Sequence, residues 1–281
     1  MSKGRPITGW RKLAGASWRA PNDPQFYGTM DIDAATLLAY ADALRDHTGA
    51  HVTMTHLIGR AVAHGLREVP ALRQRIARGR EYERESIDVF FIVTTDRGRE
   101  LTGVKLADAD KKSAVDISNE LVRRCAAIDG NTDPEFGRTK RMLETLPRPL
   151  LRAGVRLSAW LTSDLNVNLP QFGLPRQAFG SAMITSVGMW GIAHAYSPLT
   201  AYYRVPVLVL VGAVEPRPAA RAGSVVVRPM LTITATFDHR YVDGFQAARF
   251  ASAIHDYCAN PSSFEPAVPA AQRDEFEAVS D

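Results

Sequence analysis

The run Thr236-Phe237-Asp238-His239-Arg240-Tyr241-Val242-Asp243-Gly244 gathers an imidazole, two carboxylates and a guanidinium within a few residues. Imidazole titrates near neutrality, so His239 is the side chain best suited here to general acid–base work. Asp238, Arg240 and Asp243 are the charges able to hold or tune it. H-x-x-x-D-G alone is an unspecific pattern. Its weight comes from its setting, because an apolar strand pattern precedes it and an amphipathic helix pattern follows. His47, His51, His56 and His64 lie on or between early helices without H-E-x-x-H spacing, so no metal site is assigned. Cys125 and Cys258 form no C-x-x-C and no disulfide framework.

The elements that position this run are legible from periodicity. Val225–Phe237 reads as the strand that delivers His239, and Gly244–Tyr257 as the helix beyond it, with Phe245, Ala248, Ala251 and Ile254 at helical spacing. Further strands are expected at Phe26–Asp33, Ile87–Thr95, Leu101–Leu106, Ala182–Val187 and Val205–Val214. Helices are expected from Ala34 to Thr48 (capped by Asp33, stopped by Gly49), from Thr53 or Thr55 to Glu68, and from Ser113 to Ile128. A short amphipathic helix is expected within Gly9–Ala20, and Arg141–Leu161 reads as helical with a break at Pro147 and Pro149. That last segment either packs on its own domain or presents an amphipathic face to a lipid or acyl chain. Alternating helices and strands give an α/β or mixed α+β class.

The 281 residues, 46% hydrophobic and 23% charged, suit one large globular domain with a core that needs no disulfide staples. The net charge of +4 is spread among acids, as in Arg78–Arg84, which reads as a solvated surface. No zinc spacing, RNP motif or basic heptad suggests nucleic acid. No signal core and no long apolar run are present, so a cytoplasmic protein without a membrane span is expected.

The motif as a whole, D-H-R-x-x-D-G from Asp238 to Gly244, resembles the signature of the catalytic domain of dihydrolipoamide acyltransferases of 2-oxoacid dehydrogenase complexes. Other stretches agree in order: Ser186-Val187-Gly188-Met189-Trp190-Gly191 is similar to S-N-L-G-M-F-G, and Gly212–Pro218 to G-x-x-x-x-R-P. Asp108–Ser113 is similar to D-A-D-K-K-S, Ala61–Pro70 to a helix ending A-L-R-E-V-P, and Phe26, Tyr27 and Asp31 to the opening strand. The resemblance spans roughly residues 9–261.

It implies a two-layer, chloramphenicol-acetyltransferase-like sandwich with a mixed sheet, assembled as a homotrimer and possibly a larger cage. His239 is then the general base on a thiol of CoA or dihydrolipoamide, which attacks an acyl thioester. A hydroxyl on the strand before the glycine turn stabilises the oxyanion. Thr185 occupies that position and Ser186 is its neighbour; strand alternation points them to opposite faces. Asp243 is structural in the family and pairs with an arginine near the start, Arg11 being the candidate with Arg19 behind it. His194 is a candidate channel residue. The expected domain covers residues 1–262, with an inserted segment at about 131–179 and a peripheral tail at 263–281. No lipoyl-type lysine hairpin precedes the family-like region, so a stand-alone CoA acyltransferase is expected, with lipoamide supplied in trans or another small acceptor. The alternative is an idle trimeric scaffold.

Overall fold

The computed structural model describes residues 23–95, 100–129, 147–170 and 174–265. A six-stranded mixed sheet lies at its centre, built from β1 (Gln25–Asp33), β4 (Val89–Thr95), β5 (Glu100–Leu106), β6 (Ala182–Ser186), β7 (Val207–Arg221) and β8 (Ser224–Asp238). Its order is β1-β8-β7-β6-β4-β5. β6 runs parallel to β4 and β7, whereas the β1–β8, β7–β8 and β4–β5 pairs are antiparallel. Helices α1 (Ala35–Thr48), α2 (Met54–Glu68), α3 (Ala114–Asp129) and α5 (Gly244–Ala259) form the second layer. The α/β sandwich with a mixed sheet is the architecture the resemblance implies.

One continuous apolar core fills the space between sheet and helices. α2 is its axis, and every residue from His56 to Leu66 is buried. That exceeds a one-sided amphipathic stripe, because α2 packs on the sheet and also against α3 and α5. Gly59 allows the close approach: a Cβ there would lie 2.5 Å from the Phe91 ring of β4. A smaller cluster of Met183, Leu199, Val205 and Leu208 lies on the opposite sheet face. Residues 192–199 cross that face, where Thr234 and Thr236 hydroxyls donate to the carbonyls of Ala195 and Ser197 at 2.6 and 2.7 Å.

The start of α2 holds a titratable cap. Thr53 is the N-cap residue, and the Thr53 N–H donates to Nδ1 of His56 at 3.0 Å. Burial first, then the charge of His51, pushes the His56 imidazole down to about 4. Protonation would turn the acceptor into a donor. The folded value lies below that of the unfolded chain, so this contribution is full above about pH 6.5 and is lost as pH falls toward about 4. The linkage is worth on the order of 3 kcal/mol. His56→Gln keeps an acceptor for the capping box and does not titrate. Denaturant unfolding at several pH values is expected to show wild-type stability falling faster than that of His56→Gln between pH 6.5 and 4; parallel profiles would contradict this role.

Several boundaries differ from the sequence expectation. Asp33 is not the N-cap of α1; Ala34 is, while Asp33 accepts from the Ala35 N–H at 3.1 Å and pairs with Arg221 and Arg228, each at 2.8 Å. β7 and β8 extend well past the core as a two-stranded ribbon, closed by Ala222 and Gly223 at φ 47° and 80°. Pro216 and Pro229 oppose each other there, beyond the last β6 pair at Val211, and the Pro229 carbonyl accepts from the Ala34 N–H at 2.8 Å where the chain leaves β1. Arg78–Arg84 is not simply a solvated surface. It lies across a hairpin, β2 (Gln74–Ala77) and β3 (Arg80–Glu83), and ends at Arg84, which is buried. Arg84 donates to Gln177 Oε1 and to the Arg204 carbonyl, both at 2.7 Å. Phe264 and Glu265, assigned to a peripheral tail, are docked: Glu265 accepts from the Tyr257 hydroxyl at 2.6 Å and the Ala114 N–H at 3.0 Å, with Arg60 at 3.7 Å. Among described residues no helix is long and apolar enough to cross a membrane.

The helical reading of Arg141–Leu161 resolves into α4 (Arg148–Ala159), running on into a wider turn at Trp160–Asp164. The segment packs on its own domain: Arg75 donates to the Ser163 carbonyl at 3.0 Å, and the Gln177 N–H to the Thr162 carbonyl at 3.1 Å. Residues 141–146 and the expected helix within Gly9–Ala20 lie outside the described residues.

Candidate active site

His239 stands at the end of β8, just past its last paired residue, and is exposed. Its backbone is pinned on both sides. The His239 N–H donates to the Pro24 carbonyl at 2.8 Å, at the entry to β1. The Asp238 N–H donates to the Pro206 carbonyl at 2.9 Å, at the entry to β7. The ring packs 5.0 Å from that of Phe26. A side chain so placed is held by three strands yet remains open to a substrate.

Asp238 is buried, and its carboxylate accepts from the Arg240 N–H and Nε, each at 3.0 Å. That hydrogen bonding raises the Arg240 pKa, with burial opposing it. The pair closes the turn from which His239 projects. A cleft of about 330 Å³ opens beside them, lined by Asp23, Gln25, Leu199, Arg204, Asp238 and Arg240. Arg204 is tied to Asp164 at 3.0 Å, so the segment bearing α4 braces one wall of this cleft.

Asp243 caps α5. Its carboxylate accepts from the Phe245 N–H and its own N–H donates to Gln246, both at 2.9 Å, which completes a reciprocal capping box. Arg11 and Arg19, its expected partners, lie outside the described residues. Asp243→Ala is expected to cost about 1 kcal/mol of stability, and Asp243→Asn little, by denaturant unfolding. Equal losses would mean that the negative charge matters more than the cap.

Thr185 and Ser186 point to opposite faces, as alternation requires. Thr185 shares the face of Met183 and pairs with Leu210, away from the helices; Ser186 shares the face of Ile184, and its Oγ accepts from the Gly188 N–H at 3.4 Å. Thr185 is half-buried and its hydroxyl makes no hydrogen bond among the described residues.

The structure does not bring Thr185 and His239 together within one chain. Thr185 is level with Leu210, and Leu210 with Thr234, so His239 lies five residues further along β8 and two strands away. That is about 17 Å along the strands and about 10 Å across them. His194 is likewise remote from His239. It lies near Asp31, whose carboxyl is held below its usual range first by a hydrogen bond from Thr232, then by Arg217, with a smaller effect from His194. Sequence reasoning missed Arg84, Arg204 and Asp164, because each is isolated in sequence and acquires a role only through long-range contacts.

The family model described as 2-oxoacid dehydrogenases acyltransferase (catalytic domain) matches residues 3–133 and 177–265, leaving 134–176 unmatched. A mitochondrial dihydrolipoyllysine-residue succinyltransferase component of the 2-oxoglutarate dehydrogenase complex of Saccharomyces cerevisiae is 24% identical, over 82% of this chain and 42% of that protein. The lipoamide acyltransferase component of the branched-chain alpha-keto acid dehydrogenase complex of Bacillus subtilis is 20% identical, over 87% of this chain and 49% of that protein. The chain thus spans about half the length of these relatives or less. A probable dihydrolipoamide acetyltransferase from Listeria monocytogenes 4b F2365 shares the fold, with a TM-score of 0.62, 20% identity and coverage of 92% of this chain and 94% of that one. The cubic core of a pyruvate dehydrogenase multienzyme complex does so with a TM-score of 0.64, 18% identity and 94% coverage of both chains. With the family model covering most of its length, the chain belongs to the 2-oxoacid dehydrogenase acyltransferase catalytic-domain family.

Proposed function

We propose that this chain transfers an acyl group between CoA and a thiol such as dihydrolipoamide, with His239 as general base and Thr185 of a neighbouring subunit as oxyanion donor. The observation that carries the reading is the placement of His239: exposed, beyond the end of β8, and pinned by the Pro24 and Pro206 carbonyls. His239 takes the S–H proton of the acceptor. The resulting thiolate forms a bond to the thioester carbonyl carbon, and the oxyanion accepts from the Thr185 hydroxyl. The carbonyl re-forms as the C–S bond to CoA breaks, and the imidazolium returns its proton to the CoA thiolate. One thiol is consumed and one released. An ordinary thiol is mostly protonated at pH 7, which is why the base is needed.

The separation of His239 and Thr185 along the sheet supports a homotrimer in which the site spans two subunits. The resemblance of this fold to the cubic core also favours assembly. Lipoamide carried on another chain is a suitable acceptor. The test is CoA release from a panel of acyl-CoAs with free dihydrolipoamide. Turnover dependent on the thiol is expected. Its absence, together with no CoA binding by calorimetry, would overturn the reading in favour of a scaffold.

A further inference from the structure

An apolar groove of about 220 Å³ lies between β1 and α5, on the helix side of the sheet and apart from the cleft beside Asp238. Its walls include Phe26, Gly28 and Met30 of β1, Ala235 of β8, and Ala247 and Ala251 of α5. Small side chains create the space. Gly28 and Ala235 are direct cross-strand partners, so two small residues oppose each other where the helix passes over. A Cβ on Gly28 would meet only the Phe237 ring, at 3.6 Å, an ordinary contact. The one hydroxyl among the lining residues, on Thr29, is bonded to Tyr196. Such a space suits hydrocarbon rather than water.

The groove adjoins the proposed catalytic base. Phe26 stacks on Phe237 at 5.0 Å within the wall, and packs 5.0 Å from the His239 ring. It is therefore a shared partition between the two. Among the described residues β1 is the end strand of the sheet, so the groove lies at the sheet's edge. We infer that it holds the aliphatic chain of the acyl thioester, giving the protein a preference for medium-length acyl groups over acetyl. The inference rests on the acyl-transfer reading above. An engineered apolar cavity of about 150 Å³ binds benzene, so this groove suits a chain of about six to eight carbons.

The test compares acetyl-, butyryl-, hexanoyl- and octanoyl-CoA in steady-state transfer to dihydrolipoamide, and CoA with octanoyl-CoA in calorimetry. Each added methylene is expected to raise kcat/KM about fourfold until the groove fills. Octanoyl-CoA should bind more tightly than CoA. Gly28→Leu, which fills the groove from the strand, and Ala251→Phe, which fills it from the helix, should each lower the octanoyl-to-acetyl ratio of kcat/KM at least about tenfold. Both should also remove the affinity difference. A flat or falling chain-length profile in an active protein overturns the inference, as does equal binding of CoA and octanoyl-CoA. A change in oligomer mass in Gly28→Leu with an unaltered profile also overturns it, and assigns the groove to a protein contact. Absence of turnover with every acyl-CoA counts against the transfer reading alone. Preferential octanoyl-CoA binding that both variants abolish would still support the groove.

Discussion

His239→Ala is expected to lower kcat/KM for thiol acylation by a factor of about 10² to 10⁴, the usual contribution of a positioned general base. The loss should fall mainly on kcat, since the imidazole acts on the reacting proton rather than on the body of either substrate. Folding should survive the change. The main-chain bonds of this turn, to Pro24 and Pro206, do not involve the imidazole, and the side chain is exposed. A change in unfolding free energy within about 0.5 kcal/mol is expected for such a surface site. Full activity in a well-folded variant would remove His239 from the mechanism.

Thr185→Val is the second large effect. Removing one oxyanion donor typically costs a factor of about 10² to 10³ in kcat. Valine keeps the β-branched shape on a strand and deletes only the hydroxyl. Thr185→Ser keeps the donor and should recover much of the lost rate. Ser186→Ala should leave kcat nearly unchanged, because that side chain shares the face of Ile184, toward the helices. Thr185→Val with wild-type kcat, or a large loss in Ser186→Ala, would reverse the assignment between these neighbours.

The contrast between these two residues shows where the sequence was informative. Asp238–Gly244 announced itself because its parts are local. A strand, a charged turn and an N-capped helix follow each other without interruption, and the capping box uses only Asp243, Phe245 and Gln246. The opposite facing of Thr185 and Ser186 was legible for the same reason, since alternation along a strand is a local rule. The distance from Thr185 to His239 was not. It depends on strand order and register, with β7 inserted between β6 and β8, and no spacing in the chain encodes that. The outer part of β7, from Glu215 to Arg221, was missed because Pro216 and Pro218 argue against a strand, whereas its partner strand was read from Val225 onward. Arg84 reads as one more charge in a charged run until its contacts with Gln177 and the Arg204 carbonyl place it inside. α4 was visible as a helical pattern. Its bracing of the cleft through Asp164 and Arg204 needed the tertiary fold.

A site shared between subunits is the central claim, and subunit mixing tests it most directly. His239→Ala and Thr185→Val chains would be purified separately, then unfolded and refolded together, with transfer activity measured against each refolded alone. The account predicts activity at least about tenfold above either parent. A Thr185→Val subunit still lends its His239 to a neighbour that keeps Thr185, so intact sites form only in mixed assemblies. Confirmed mixed assemblies with no gain over the parents would contradict it, and would require both groups, or a different oxyanion donor, to act within one chain.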